Sequence, residues 1–331
     1  MTTIDIHCHV LTPECEELVA PFFSPEVDPF FRYSGAASDA VNRSQVERLR
    51  PKFVDPQERL RDMDRMGVDV QAIAIAPPQY FYWTEPELGE RLSRLHNDNL
   101  AGIVQRHPDR FRALGTLPLQ DVDRAIIELD RLAGDLGFTG VEICTNVNGI
   151  DFDDARFVPF FQRVQELDLL LVVHPHGFTQ GERFTEHYMI NTVGMPLDST
   201  VFLAHMIFGG VLERFGELKI CVVHGGGYLP FYPARFDHAY EVRPETREHI
   251  SRTPSTYLRQ LHFDTMVYDP VQLGRLIEDF GADHVLMGTD YPFDMGEEDP
   301  VGLVGQVDGL TDEQRVLVTG GNAARLLRLE R

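Results

Sequence analysis

The 331-residue chain carries 52 acidic against 30 basic side chains, a formal charge of −22, with 43% hydrophobic and 10% aromatic residues. So acidic a surface repels nucleic-acid phosphates, which excludes nucleic acid as a partner, and an anionic substrate has to be held by local cations. No run of about 18 apolar residues occurs, which excludes a helical membrane span, and no basic patch precedes an apolar stretch near residue 1, so a cytoplasmic protein is expected.

The first element in chain order is IDIHCHV, residues 4–10. Alternation along a strand places Asp5, His7 and His9 on one face and Ile4, Ile6, Cys8 and Val10 on the other. Two imidazoles on one face can share a metal ion, and they can equally be polar groups facing solvent at a sheet edge. Residues 11–56 follow as a long insertion containing PFFSPEVDPFFRYSG, expected to form a lid, because long loops in compact domains are usually functional or disordered. DPQERLRDMDRMG opens on an Asp-Pro helix start and stops at Gly67.

Strands are then expected at 69–76 (DVQAIAIA), 110–117 (RFRALGTL) and 139–145 (TGVEICT). Before the last of these, a helix begins at the N-cap Asp121 and carries Ile126, Leu129, Leu132 and Leu136 as an apolar stripe. Further strands are expected at 169–176, 218–225, 261–265 and 283–290, with a second long connection at 176–195 and a helix over 269–281. Eight β-rich runs alternating with helices, several of them continuously apolar, predict parallel strands buried on both faces. The expected fold is α/β, a (β/α)8 TIM barrel with an insertion after strand 1, as a single domain over 1–331. Cys8, Cys15, Cys144 and Cys221 form no CxxC pair and read as reduced, buried thiols.

Chemistry in such a barrel belongs at the C-terminal strand ends. His7 and His9 fall there on the first run, His174 in VVHPH, His224 in VVHGGG and Asp290 in MGTDYPF. Three imidazoles and a carboxylate around one centre suit zinc or a similar divalent ion. Five such residues on one rim decide against the solvent-facing reading of His7 and His9.

These motifs, with DPQERLRDMDRMGVDVQ, FRALGTLPLQD, VGMPLDST and HGGGYLPFYPARFDH, resemble the amidohydrolase superfamily, and more narrowly its aminocarboxymuconate-semialdehyde decarboxylase branch. The likeness runs from Asp5 to GNAARLL. It implies Zn2+, with Mn2+ or Co2+ in its place as variants, held by His7, His9, His174 and Asp290. Asp290 would also belong to the catalytic set, with His224 as the acid/base beside the ion. Arg235, in FYPARFD, matches an arginine that reaches the substrate carboxylate of a neighbouring subunit, which implies a homodimer. The family's second substrate arginine falls in the insertion, where this chain has Glu47 and, next to it, Arg48, with Arg43 and Arg50 nearby. After HP the family decarboxylase has tryptophan and this chain has His176.

Two other residues and one motif have competing readings. His205, in VFLAHMIFGG, is expected to be a core or helix–helix histidine. Glu142, at the end of TGVEICT, stands where a bridge between two metals would come from, whereas neither lysine, Lys52 or Lys219, ends a strand, which excludes a lysine bridge. HGGG without GxSxG is not a lipase loop. The expected function is that of a metal-dependent, non-hydrolytic decarboxylase, a carbon–carbon lyase of a small unsaturated or aromatic carboxylic acid. The alternatives are a metal-dependent hydrolase or hydratase of a lactone or ring-cleavage product, and a non-catalytic metal-stabilised binding protein. An acid/base histidine beside four ligands argues against the last, since a scaffold needs none.

Overall fold

A computed structural model describes residues 2–329. All eight expected runs become strands, all but the first trimmed at their ends: β1 Ile4–Val10, β2 Val70–Ile75, β3 Phe111–Gly115, β4 Gly140–Cys144, β5 Leu170–His174, β6 Lys219–Val222, β7 His262–Asp264 and β8 Val285–Leu286. They lie in the order β1 to β8, every neighbouring pair parallel. Backbone bonds close the ring: Ile6 N–H donates to Met287 O, Asp290 N–H to His7 O and His9 N–H to Tyr291 O. The fold is a (β/α)8 barrel.

Its interior is filled by Ile4, Ile6, Val70, Ala72, Ala74, Leu170, Val172, Cys221 and Leu286, with Ala323, Leu326 and Leu327 of the C-terminal helix packed against them. A second, larger cluster packs the outer strand faces against the helices. Asp121 caps the helix Val122–Gly134 by accepting from Arg124 N–H. On its stripe Leu129 and Leu132 are fully buried, worth about 1.5–3 kcal/mol each, while Ile126 and Leu136 are half-buried. Asp55 and Gly67 bound Pro56–Met66 as the start and stop signals require, Gly67 with φ 69°.

Three details depart from expectation. The single alternation read into β1 does not run its length, because the register with β2 shifts between Asp5 and Cys8. Ile4 and Ile6 therefore pack in the barrel interior, whereas Cys8 and Val10 join the outer cluster. The eighth strand keeps only two residues, since beyond Leu286 the backbone turns to bond Val318 and His7. And the insertion is mostly helical, with Pro13–Val19 and the 19-residue helix Ala36–Val54.

The insertion and the long connection after β5 are clasped together. Any side chain on Gly177 (φ 80°) would meet the backbone nitrogen of Phe30 at 2.8 Å, and Tyr33 OH donates to Glu182 at 3.0 Å. Glycine at 177 is thus needed twice, for the left-handed turn and for the close approach.

Candidate metal and active site

β1 presents His7 and His9, β5 ends in His174, and Asp290 follows β8 by four residues. One ligand atom of each lies within 4.8 Å of the others. Their exposures are 0, 0, 3 and 7%.

Each imidazole is oriented through its Nδ1. His7 Nδ1 donates to Asp264 Oδ2 at 2.7 Å, His9 Nδ1 to Ile75 O at 3.1 Å and His174 Nδ1 to Pro175 O at 2.6 Å. With the proton on Nδ1, every Nε2 lone pair points to the common centre. All three Nε2 atoms, and Asp290 Oδ1 among them, are buried without a hydrogen-bond partner. An unpaired buried polar atom costs about 1–3 kcal/mol, and four converging on one point are explained by a cation. Three nitrogens and one oxygen fit a divalent transition ion such as zinc or manganese.

Electrostatics agree. Burial holds His9 below its ordinary value and His174 further below, with its neighbouring histidines adding to the effect. Burial opposes charge on His7 too, yet Asp290 and Asp264 hold its pKa well above normal. Burial would raise the Asp290 carboxyl, but His7 and the imidazoles around it hold it well below the usual range. The carboxylate is charged and needs a positive partner, which a bound ion supplies without protonating a ligand.

His224 follows β6, outside the quartet, with its Nε2 3.5 Å from Asp290 Oδ2 and its ring 4.9 Å from that of His174. His224 and Asp290 both have φ 55°. Left-handed non-glycine residues cost about 1–3 kcal/mol each and collect at active sites. A cavity of about 340 Å³ opens onto both, lined also by Asn191, Tyr228, Tyr268 and Gln272. A smaller one of about 60 Å³ touches His174, Asp290 and His176. Among the described residues, no arginine or lysine lines either cavity.

The arginines of the insertion stand away from the quartet, and Arg235, expected at a neighbouring subunit's substrate, is a surface residue. Arg48 lines a separate cavity with Lys52, Arg65, Glu297 and Glu298, because the helix Ala36–Val54 turns that side of itself away from the quartet. Arg50 pairs with Glu16 at 2.7 Å, and Arg43 is exposed. Arg235 is exposed on the helix Ala234–Val242 and has no ion pair among the described residues. Glu142 is buried outside the quartet and accepts from Tyr80 OH at 2.9 Å, and burial pushes its carboxyl up to about 8. His205 is not a core residue. It is half-exposed, with Nδ1 3.0 Å from Asp153 and Nε2 3.3 Å from Asp151.

Two supporting residues give little sign of themselves in the sequence. Asp264, at the end of β7, takes His7 Nδ1–H on one oxygen and Gly225 N–H on the other, which ties the ligand strand to the His224 turn. Asp5 accepts from Thr289 Oγ1 at 2.6 Å and from Gln71, which the buried Arg59 holds in turn. Their only sequence signal is a carboxylate inside an apolar run.

The Amidohydrolase family model matches residues 4–329, and the chain belongs to that family. It is 31% identical over 329 residues to 2-amino-3-carboxymuconate-6-semialdehyde decarboxylase of Dictyostelium discoideum, covering 99% of this chain and 92% of that one. Gamma-resorcylate decarboxylase of Rhizobium radiobacter is 28% identical over 300 residues, with 85% and 90% covered. Among solved structures, 5-carboxyvanillate decarboxylase from Sphingomonas paucimobilis superposes with a TM-score of 0.88 at 27% identity, covering 99% of both chains.

Proposed function

We propose that this chain is a divalent-metal-dependent carboxy-lyase that releases CO2 from a small unsaturated or aromatic carboxylic acid, with zinc as the first expectation for the ion and manganese or cobalt as variants. The observation that carries this reading is His224, set beside four uncommitted ligand atoms yet not one of them, in a chain with decarboxylases among its relatives at 31% and 28% identity. When bound, the ion supplies positive charge beside the reacting carboxyl group.

His224 holds the proton that the departing CO2 must be exchanged for, and Asp290, 3.5 Å away, orients it. Asp264 keeps His7 in the ligating tautomer. Tyr228, Tyr268, Phe231 and Met266 give the larger cavity aromatic and apolar walls. Since no arginine or lysine among the described residues lines that cavity, any cation for the substrate beyond the metal itself has to come from outside. The exposed Arg235 fits that need in a second copy, so we read the protein as a homodimer with shared sites, and Arg48 as lying outside the substrate's reach. Four free, buried cysteines suit a reducing compartment, so we place the protein in the cytoplasm.

Turnover in deuterated water tests the reaction. A decarboxylase puts one deuterium on the carbon that bore the carboxylate and releases CO2 in equal amount. Solvent oxygen in the product without CO2 would replace this reading with the hydrolase or hydratase. Mixing inactive Arg235→Ala with inactive His174→Ala chains tests the dimer: hybrid sites with both groups intact restore part of the activity, and a monomer that keeps full activity sinks the shared site.

A further inference from the structure

Residues 26–33 of the insertion and the barrel mouth enclose a chamber of about 300 Å³, at the lower end of the range for small-ligand pockets. The barrel's side of it comes from the connections that follow β2 and β4, with Tyr80, Tyr82, Trp83 and Asn146. Tyr80 and Tyr82 stack, with ring centroids 5.6 Å apart and 18° between their planes. Tyr80 OH is committed to Glu142. Tyr82 is buried, and its oxygen accepts from Cys144 N–H at 3.4 Å, but its own hydrogen has no acceptor among the described residues. The indole N–H of Trp83 is likewise buried without a partner.

Arg32 stands on the rim of this chamber. Its guanidinium is exposed, lies 5.2 Å from the Tyr33 ring and has no ion pair among the described residues. Of the carboxylates on the same rim, Asp28 is committed to His176, whose Nε2 lies 2.9 and 2.8 Å from its two oxygens, and Glu26 is exposed and makes no ion pair with Arg32. A guanidinium fork holds a carboxylate in two parallel bonds, and aromatic faces take a flat apolar body. The chamber is also walled off from the metal ligands. Pro77 and His176 line both it and the small cavity at His174 and Asp290, which at about 60 Å³ has room for roughly two waters and passes no ring. An occupant therefore enters from solvent past Arg32, Glu26 and Asn148, all exposed, and stays off the quartet.

We propose that the chamber beneath the insertion is a binding site of its own, separate from the metal centre, for a small aromatic carboxylate. Arg32 takes the carboxylate at the rim, and Tyr82 and Trp83 offer ring faces within, their two uncommitted donors serving polar substituents on the ring. Because one side of the chamber is insertion and the other is barrel, the occupant fastens the insertion over the barrel mouth.

This inference goes beyond the carboxy-lyase reading and stands without it. Trp83 is the chain's one tryptophan, so its emission reports on the chamber directly. The test is a fluorescence titration of the manganese-loaded full chain with para-nitrobenzoate, whose ring quenches indole on contact, beside the uncharged para-nitrobenzamide. Para-nitrobenzoate quenches wild type to saturation. Arg32→Ala weakens its binding about tenfold, the loss of one charged pair, with manganese content unchanged. Arg32→Lys keeps the charge without the fork and falls between the two. Para-nitrobenzamide binds wild type no more tightly than it binds Arg32→Ala. Arg32 is a surface side chain, so both variants fold, which circular dichroism checks. The absence of saturable quenching overturns the proposal. Quenching that is as tight in Arg32→Ala as in wild type puts the probe at another site and overturns it too. Equal weakening of both probes in Arg32→Ala makes the arginine a support of the insertion, not a partner of the carboxylate, and equally overturns it.

Discussion

Two clusters of histidine and aspartate in this barrel are alike in composition and unlike in what their atoms are free to do. In the quartet of His7, His9, His174 and Asp290, each Nδ1 is committed to a fixed acceptor and each Nε2 is left unpaired and dry. His205, between Asp151 and Asp153, spends both ring nitrogens on carboxylates and is half-exposed to water. Residue type does not distinguish a metal site from a solvated ion-pair cluster. The distinction lies in which atoms are already committed, and in whether water can reach the rest.

The sharpest way to break this comparison is to remove ligands from each cluster. His174→Ala or Asp290→Ala should strip most of the metal from a barrel that stays folded, with activity falling to background. Elemental analysis and circular dichroism read the two halves of that statement. Two ions per chain in wild type would instead bring Glu142 into the site. Next in size is His224→Ala, which should keep one ion per chain and lose roughly 10²–10⁴ in turnover, the usual contribution of an acid/base. A loss of metal in that variant would make His224 a ligand and not a proton carrier.

The neighbourhood of the second cluster has its own signature in pH. Asp198 is buried and accepts from Thr145, and burial pushes its carboxyl from 3.8 to about 7. A raised acid favours its neutral form in the folded state, so wild type loses stability as pH climbs from about 4 through about 7. Asp198→Asn carries no such loss, and its advantage should grow across that window to at most roughly 4 kcal/mol. Urea unfolding at about pH 5 and pH 8 measures it, and a constant difference between the two would show that Asp198 stays charged. The smallest effect belongs to His205→Ala, at most about 1 kcal/mol, as for a half-exposed pair, with metal content untouched.

Much of this molecule is legible in its sequence. The strands are, because LLVVH and KICV announce burial on both faces, and the five rim residues are, because each closes an apolar run. What escapes is non-local. His205 sits in an apolar sequence, but the two aspartates that draw it outward come from a loop some 50 residues earlier. Arg48 sits next to the expected arginine position, yet one step along a helix turns a side chain about 100°, and that is enough to aim it into another cavity. Alternation fails in β1 because a register shift carries no composition signal. The partnership of His176 with Asp28 joins two segments whose patterns say nothing of each other.

The closure of the barrel has a consequence for how the site comes into being. Three of its four ligand residues lie on the two segments that meet at the seam, β1 and the turn after β8, and there the eighth strand contributes only two residues to the ladder. In sequence His7 and His9 stand far ahead of Asp290, so the two strand-one ligands are made long before the carboxylate that completes the quartet. An ion held by the quartet would tie the two sides of this seam together, so its occupancy would favour the closed barrel. A cell short of the metal would hold a barrel that loosens along this seam, while its helical shell stays shut.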